Sequence, residues 1–306
     1  MATRVVSWNI DKRSEPWRQL VDMDADVALL QEAGMPPPDV SGSVDTGPAE
    51  HWDSHVWNSR WWEGRFKNLY DRWPMVVKLS KRVEVEWFKQ ISPIGGMAND
   101  EIAASGIGTI AAARVKPTDR SASFIAVSMY ARWMSPHPGV HSNWIYQDGS
   151  AHRIISDLSA FIGSTDPSTH RILAAGDLNM IYGATEDNRL ALPARDRTVT
   201  DRMTALGMEF LGPQHPYGRR ANPTPPGLPS DTRNVPTYYA RGGSPESAQN
   251  QLDYVFASRG FHQSIKVRAM NSADEWGASD HCRLLIEISN DDKAPLWESE
   301  RQVHGD

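Results

Sequence analysis

The chain has 306 residues, of which 40% are hydrophobic and 23% are charged, as in ordinary globular proteins. Its 32 Lys and Arg against 38 Asp and Glu give a net charge of −6, which disfavours nucleic-acid binding through an overall basic surface. The single cysteine, Cys282, excludes an intrachain disulfide and a cysteine-rich zinc site. There is no secretory apolar core and no stretch long enough to span a membrane, so we expect a cytoplasmic protein.

The first part of the chain predicts short strands joined by loops. Apolar and β-branched runs predict strands at residues 4–10 and 27–31, and Ser14 is a candidate cap for a short helix between them. Residues 39–65 are polar and rich in Trp, so we interpret them as a long loop with some helix. Further strands are predicted at residues 75–79, 83–88, 106–115 and 123–130.

Two features near this loop allow a functional and a structural interpretation. The Trp residues between positions 52 and 87 can form a base-stacking platform or fill a small loop-rich core, and we favour the core for most of them. His51 and His55 have the i,i+4 spacing of a metal pair, but no Glu follows His51 as in zinc proteases and no third ligand is evident. We therefore expect both histidines on an exposed loop or helix face.

The second part of the chain combines helices, strands and one long irregular segment. Residues 142–161 predict a helix with one apolar face, and residues 201–206 are predicted to belong to another helix. Residues 212–250 are rich in Pro and predict a functional lid or a disordered flap. The remaining strands are predicted at residues 171–175, 252–258, 265–270 and 282–288.

Strands outnumber helices, and neither a composition shift nor an internal repeat divides the sequence. We therefore predict one β-rich α/β domain over residues 1–289, with helices packed outside a sandwich of strands. Residues 212–250 are a Pro-rich loop insertion in this domain, and residues 290–306 are a polar C-terminal tail.

Polar side chains interrupt or follow the apolar runs at the strand ends. Because strand ends along one edge of a sheet pair can converge, these side chains can share a cleft. Carboxylates clustered in a cleft repel one another unless protons or a divalent cation neutralise them. Such oxygen ligands suit Mg²⁺, Mn²⁺ or Ca²⁺ rather than zinc. The residues concerned are Asn9, Asp11, Glu32, Asp177, Asn179, Asp253, Asp280 and His281.

Five motifs at these positions resemble those of the endonuclease/exonuclease/phosphatase superfamily, whose fold is that of deoxyribonuclease I. They are Ser7-Trp-Asn-Ile-Asp11, Leu30-Gln-Glu32, Gly176-Asp-Leu-Asn179, Leu252-Asp-Tyr-Val255 and Ser279-Asp-His-Cys282. They follow the family's order and span nearly the whole chain. The resemblance implies a four-layer α/β sandwich of two packed, mainly antiparallel β-sheets flanked by helices. It also implies a metal-dependent phosphoesterase site at one edge.

The resemblance assigns a metal site to this edge. Glu32 is similar to the family's principal metal ligand, and Asn9, Asp11 and Asp280 are expected near the metal, which is Mg²⁺ or Mn²⁺. A hard cation there can neutralise the non-bridging oxygens of a phosphate ester and help to stabilise the leaving oxygen.

The remaining matched residues are expected to act on water and phosphate. Asp177 resembles the residue that orients and deprotonates the attacking water, which a carboxylate within hydrogen-bond reach can do. Asn179 resembles the amide that holds a phosphate oxygen, to which it donates without adding negative charge. Asp253 and His281 resemble a pair in which the carboxylate keeps the imidazole protonated. Taken alone, His281 would be a satisfied core histidine.

The strand that ends at Tyr130 bears on the subfamily. Tyr at this position resembles the exonuclease III and abasic-site endonuclease branch and is a catalytic candidate, although an aromatic residue at a strand end can also serve packing. That branch continues with Pro and then Asn or Gln, where this chain has Arg132 and Trp133, and has Thr-Lys in place of Ala33-Gly34. These departures speak against abasic-site specificity. Arg132 and Trp133 are candidates for substrate binding, Arg132 through a bidentate phosphate contact or else as a solvated charge.

Three functions are weighed on these grounds. The leading hypothesis is a divalent-metal-dependent phosphodiesterase acting as a DNA nuclease, with nucleic acid as substrate and no membrane association. The alternative is a phosphoesterase for a small phosphorylated metabolite, nucleotide or lipid headgroup, which the acidic net charge favours. A catalytically silent binding module is disfavoured, because such a module has no need for mutually repelling carboxylates. Much of the acidic excess lies in the proposed site, so nucleic acid is expected to bind there rather than on a broad basic face.

Overall fold

The computed structural model describes residues 2–52, 73–91, 97–105, 109–119, 121–132, 137–140, 146–163, 166, 169–185 and 193–289. These residues form thirteen strands and three α-helices. The helices are α1 (Glu15–Val21), α2 (Gln147–Leu158) and α3 (Pro193–Ala205). The strands are β1 (Thr3–Asn9), β2 (Val27–Ala33), β3 (Trp73–Lys78), β4 (Val83–Trp87), β5 (Lys89–Ile91), β6 (Glu101–Ala103), β7 (Ile110–Pro117), β8 (Phe124–Tyr130), β9 (Ile172–Asp177), β10 (Met208–Gly212), β11 (Asp253–Ser258), β12 (Ile265–Met270) and β13 (Arg283–Ile288).

Two sheets pack against each other, and each is mainly antiparallel. The first sheet has the strand order β12-β13-β1-β2-β3, and the second has the order β10-β11-β9-β8-β7-β4. Within these sheets, β1 with β2 and β8 with β9 are the parallel pairs, while β5 and β6 form a small parallel sheet of their own. Helices α2 and α3 cover the outer face of the second sheet. The predicted α/β sandwich of two packed sheets is confirmed.

Small side chains line the inner face of the second sheet. They alternate along each strand with residues that pack toward α2 and α3 on the outer face. Because alanine projects only a methyl group, the larger apolar side chains of the first sheet can approach closely and fill the space between the sheets. The inner-face alanines are Ala111, Ala113, Ala126, Ala175 and Ala257.

Most predicted elements occur, and the differences have local causes. The helix predicted over 142–161 is α2, and residues 141–145 lie outside the described part. The helix predicted at 201–206 is α3, which begins at Pro193. Its first part was not predicted because only two of its apolar side chains, Val199 and Met203, are buried, so its apolar pattern is weak. Strands β5, β6 and β10 were not predicted, since runs of three to five residues are too short to show alternation.

The connection between β10 and β11 is the Pro-rich segment (residues 213–252). Its regular structure is limited to a 3₁₀ helix at Pro245–Ser247, as expected for a loop. The interpretation as a disordered flap is wrong, because Val235 and Thr237 are fully buried. The Thr237 N–H donates to the Asn250 carbonyl and the Thr237 carbonyl accepts from the Cys282 N–H, each over 2.8 Å. The segment is therefore fixed against the sheets.

His51 and the described Trp side chains belong to the core rather than to a surface. His51 is fully buried and not exposed as predicted, and Trp52 is only 5% exposed. The His51 Nδ1 donates to the Pro48 carbonyl over 2.8 Å, and the His51 Nε2 accepts from the Val76 N–H over 3.3 Å. Trp87 also packs against the core. These side chains support the interpretation of the described Trp residues as core.

Several sequence interpretations concern residues outside the described part. These include the histidine and Trp residues His55, Trp57, Trp61 and Trp62, and the predicted tail at 290–306. Within the described residues, none of the helices has the length and apolar character needed to cross a lipid bilayer.

Burial of His51 predicts acid-sensitive stability. Desolvation lowers the pKa of this imidazole from 6.5 to about 4. Between these pH values the unfolded chain binds a proton that the folded chain excludes, so the free energy of unfolding should fall as pH decreases, by up to about 3 kcal/mol. Chemical denaturation at several pH values should show a flatter profile for His51→Gln and an unchanged profile for the exposed control His215→Gln. An equally steep loss in His51→Gln would contradict this prediction.

Candidate functional site

Strands from both sheets bring polar side chains to one edge of the sandwich. Strands β1 and β2 run in parallel and end there, as do β8 and β9 of the second sheet. In the second sheet, Asp177 at the end of β9 pairs with Tyr130 on one side and with Asp253 on the other. The predicted residues Asn9, Glu32, Tyr130, Asp177 and Asp253 therefore share this edge.

A hydrogen bond between the two sheets forms the centre of the site. Asn9 Nδ2, at the end of β1, donates to Asp177 Oδ2, at the end of β9, over 3.0 Å. Both side chains are almost completely buried. The same amide donates to Glu32 Oε1 over 3.4 Å. A neutral amide thus lies between two carboxylates and offsets part of their repulsion.

Glu32 lies in an irregular part of β2 and contacts Tyr130. The register with β3 shifts between Leu30 and Ala33, and Glu32 has a left-handed φ of 46°. The Tyr130 hydroxyl donates to Glu32 Oε1 over 3.0 Å. Burial, reinforced by the charge of Glu32, raises the pKa of this phenol well above its ordinary value. Tyr130 therefore stays protonated and acts as a hydrogen-bond donor.

The end of β9 fixes the carboxylate of Asp177. Gly176 lies so close to β8 that a Cβ atom would be 1.9 Å from the Met129 carbonyl oxygen. Beyond Asp177, Asn179 adopts a left-handed φ of 51°. Its backbone N–H donates to Asp177 Oδ1 over 2.8 Å, and its side-chain amide donates to Asp177 Oδ2 and the Ala131 carbonyl, each over 3.1 Å. Neutral donors therefore hold both oxygens of Asp177.

His281 lies between two carboxylates. Its Nδ1 is 2.8 Å from Asp253 Oδ2, and its Nε2 is 3.9 Å from Asp177 Oδ2. Burial disfavours the imidazolium, but Asp253 and then Asp177 outweigh this effect and raise the pKa of His281. Burial also raises the pKa of Asp177, and His281 reverses only part of that change. The arrangement favours a protonated imidazole beside a carboxylate of raised basicity.

Asp11 and Asp280 lie beside this centre. Asp11 pairs with Arg13 over 2.8 Å, and its N–H donates to Asn9 Oδ1 over 3.1 Å. Burial raises the pKa of Asp280, which His281 opposes and the charges of Asp11 and Glu32 reinforce. The carboxylate of Asp280 is thus close enough to those of Asp11 and Glu32 to be repelled by both.

This donor set fits a hard divalent cation in its chemistry. Asn9, Asp11, Glu32 and Asp280 can offer oxygen ligands, and a cation would relieve the repulsion among the carboxylates. No three His, Cys, Asp or Glu side chains converge on one point within the described ranges. Mg²⁺ commonly uses one or two carboxylates and keeps water at its other positions, so such convergence is not required.

Of the two candidates for substrate binding, Arg132 belongs to the described residues. Arg132 is half-buried, and its guanidinium carbon lies 5.9 Å from the centre of the Tyr130 ring. Its backbone N–H donates to Ser150 Oγ of α2 over 2.9 Å. Arg132 therefore lies beside the site, whereas Trp133 is outside the described residues. Their roles in substrate binding stay predictions.

The Pro-rich segment contributes residues that sequence reasoning missed. Thr237 Oγ1 accepts from the N–H groups of Leu252 and Asp253 over 2.9 and 3.1 Å and so fixes the start of β11. The ring centre of Tyr238 is 4.9 Å from that of the His281 imidazole. No spacing in the sequence connects this segment with His281. Only the folded chain reveals the proximity.

Hydrogen bonds between residues far apart in the sequence hold the strands that carry the site. Gln31 Nε2 on β2 donates to Ser128 Oγ on β8 over 2.9 Å, and Ser128 Oγ donates to the Leu30 carbonyl over 2.6 Å. The Trp8 indole N–H donates to the His281 carbonyl over 2.8 Å. Gln31 and Trp8 both lie in motifs singled out in the sequence, although their supporting contacts were not predicted.

Comparison with known proteins gives structural matches. No protein-family model matches the sequence, and no curated protein matches it. The endonuclease domain of TRAS1, a telomere-specific non-LTR retrotransposon, is 14% identical with a TM-score of 0.57, covering 94% of this chain and 98% of that one. The AP endonuclease LMAP from Leishmania major is 15% identical with a TM-score of 0.54, covering 94% and 87%. The 3′ phosphatase NExo from Neisseria, bound to a product DNA hairpin, is 12% identical with a TM-score of 0.53, covering 94% and 100%.

These matches extend over nearly the whole chain, although few residues are identical. Such coverage is consistent with a shared arrangement of the two packed sheets. The chain therefore has the same deoxyribonuclease I-like fold as these three proteins.

Proposed function

We propose that this protein is a divalent-metal-dependent phosphodiesterase and that it cleaves DNA. The observation that carries the proposal is the buried network from Asp253 through His281 and Asp177 to Asn9, which joins a proton donor and a proton acceptor beside Glu32. The DNA hairpin bound to the Neisseria protein of the same fold supports DNA as the substrate. We assign the activity to one domain over residues 1–289, with residues 290–306 as a tail outside it.

Asp177 would accept a proton from the attacking water. Asn9 and Asn179 hold its carboxylate in one orientation, and burial raises its pKa, which makes it a stronger base. His281 has the opposite task. Asp253 keeps its imidazole protonated, so that Nε2 can donate to an oxygen of the phosphate.

The other residues of the edge orient the phosphate and its cation. Asn179 can donate to a phosphate oxygen by exchanging its bond to the Ala131 carbonyl, and Arg132 can donate two parallel hydrogen bonds to a phosphate at the rim. Glu32 and Asn9 would hold a Mg²⁺ or Mn²⁺ ion, with Asp11 and Asp280 near it. When bound, this ion supplies neutralisation of the non-bridging oxygens and of the leaving oxygen.

A small phosphorylated metabolite, nucleotide or lipid headgroup is the second candidate substrate. The net charge of −6 and the residues Ala33, Gly34, Arg132 and Trp133, which replace the elements of the abasic-site branch, favour it. Assays on plasmid, abasic and single-stranded DNA beside a panel of small phosphoesters separate the two. Turnover of a small ester without nicking of any DNA would replace DNA as the substrate. Inactivity on all substrates with every metal would leave a binding module.

Removal of the divalent cation should abolish cleavage. EDTA should stop the nicking of plasmid DNA, and excess Mg²⁺ or Mn²⁺ should restore it. Glu32→Gln removes the charge of the principal ligand and should reduce kcat/KM by about two to three orders of magnitude. The exposed control Glu15→Gln should match the wild type. Full activity in EDTA would refute the metal-dependent mechanism.

Replacement of Asp177 should affect the chemical step. Asp177→Asn keeps the shape of the side chain but removes the proton acceptor, so kcat should fall by about 10²- to 10⁴-fold with little change in KM. Steady-state kinetics measure the effect, and circular dichroism verifies folding. The exposed control Asp39→Asn should keep wild-type kcat. If Asp177→Asn did so as well, Asp177 would not be the base.

A further inference from the structure

Tyr238 projects from the Pro-rich segment onto the proposed site. Its ring packs at 47° against the imidazole of His281, with 4.9 Å between the ring centres. Its backbone forms isolated bridges to Asn250 and His281, and its N–H donates to the Asn250 carbonyl over 3.1 Å. The backbone on both sides is also held, because Thr237 is bonded to β11 and the Tyr239 N–H donates to the Asp280 carbonyl over 3.1 Å. Tyr238 is therefore anchored in one position.

The phenol of Tyr238 keeps its proton. Burial raises its pKa, and the charges of Asp280, Asp177, Asp11 and Glu32 each add to this increase. Because its ionisation is disfavoured, the hydroxyl remains a neutral hydrogen-bond donor.

The same side chain is accessible to a ligand. Tyr238 is half-buried, with part of its ring packed against the small apolar cluster that contains Ile181 and Leu252. Its hydroxyl makes no hydrogen bond to any other described residue. A donor that is held rigidly beside His281 and is not used within the described chain suits an acceptor supplied from outside, such as a phosphate oxygen.

We propose that Tyr238 is a substrate-positioning residue whose hydroxyl donates a hydrogen bond to an oxygen of the phosphate ester bound beside His281. This role rests on the proposed function, since it assigns a further contact to the same site. The ring and the hydroxyl have separate tasks. The ring limits the movement of the His281 imidazole, and the hydroxyl binds the phosphate without introducing another charge.

The Tyr238→Phe variant separates these tasks because it keeps the ring and removes only the hydroxyl. Loss of one hydrogen bond to a charged acceptor should raise KM, and the dissociation constant for inorganic phosphate, by about tenfold. The kcat value should stay within about twofold of the wild type, because the ring still packs on His281. Tyr238→Ala should in addition lower kcat. Tyr217→Phe, which alters a 62% exposed tyrosine of the same segment, is the matched control and should change nothing.

Calorimetric titration with inorganic phosphate in the presence of Mg²⁺ tests the contact independently of turnover, and thermal unfolding verifies that each variant is folded. If the wild type hydrolyses esters and Tyr238→Phe retains wild-type KM and phosphate affinity, the role of Tyr238 is refuted while the proposed function stands. If the wild type hydrolyses no ester but binds phosphate more tightly than Tyr238→Phe, the proposed function fails while the contact stands. Failure of the wild type to bind phosphate overturns the contact.

Discussion

Hydrogen bonds between buried polar side chains join the two sheets at the edge of the sandwich that carries the candidate site. Gln31 bonds to Ser128 beneath this edge, and Asn9 bonds to Asp177 at its centre. A buried polar group left without a partner costs about 1–3 kcal/mol, so a sliding of one sheet over the other would be opposed at each of these contacts. The apolar core brings the sheets together, whereas the polar contacts select their relative position. The separation of Glu32, Asp177 and His281 depends on that selection.

Strained backbone is concentrated at the same edge. Asp11, Glu32 and Asn179 have φ values of 45°, 46° and 51°, in the left-handed region that non-glycine residues rarely adopt. Each such residue costs of the order of 1–3 kcal/mol and is maintained only by its surroundings. Hydrogen bonds provide these surroundings, since the N–H groups of Asp11 and Asn179 bond to Asn9 and Asp177. The stability of the two-layer core is thus partly used to hold side chains in a preorganised arrangement, as the proposed activity requires.

The sequence predicted the two-sheet sandwich and most strands, because alternation and motif order carry that information. It also identified the residues that meet at the edge, since each stands at the end of an apolar run. The Pro-rich segment could not be interpreted correctly, because the burial of Thr237 and the contact of Tyr238 depend on residues far away in the chain. His51 was misplaced for a similar reason. A polar residue in a loop predicts exposure, and only the folded chain shows that the Pro48 carbonyl and the Val76 N–H satisfy its ring.

The central strand of the first sheet, β1, lies between β2 and β13, which come from opposite ends of the described chain. Trp8 and His281, which bond to each other, are 273 positions apart in the sequence. Chain closure over such distances makes folding slow and leaves the edge of β1 unpaired until the last strand has been added. During synthesis on the ribosome, the half-finished chain would therefore expose this edge while its neighbours are still being made. Docking of β13 would therefore complete the polar edge and cover the edge of β1 in the same step.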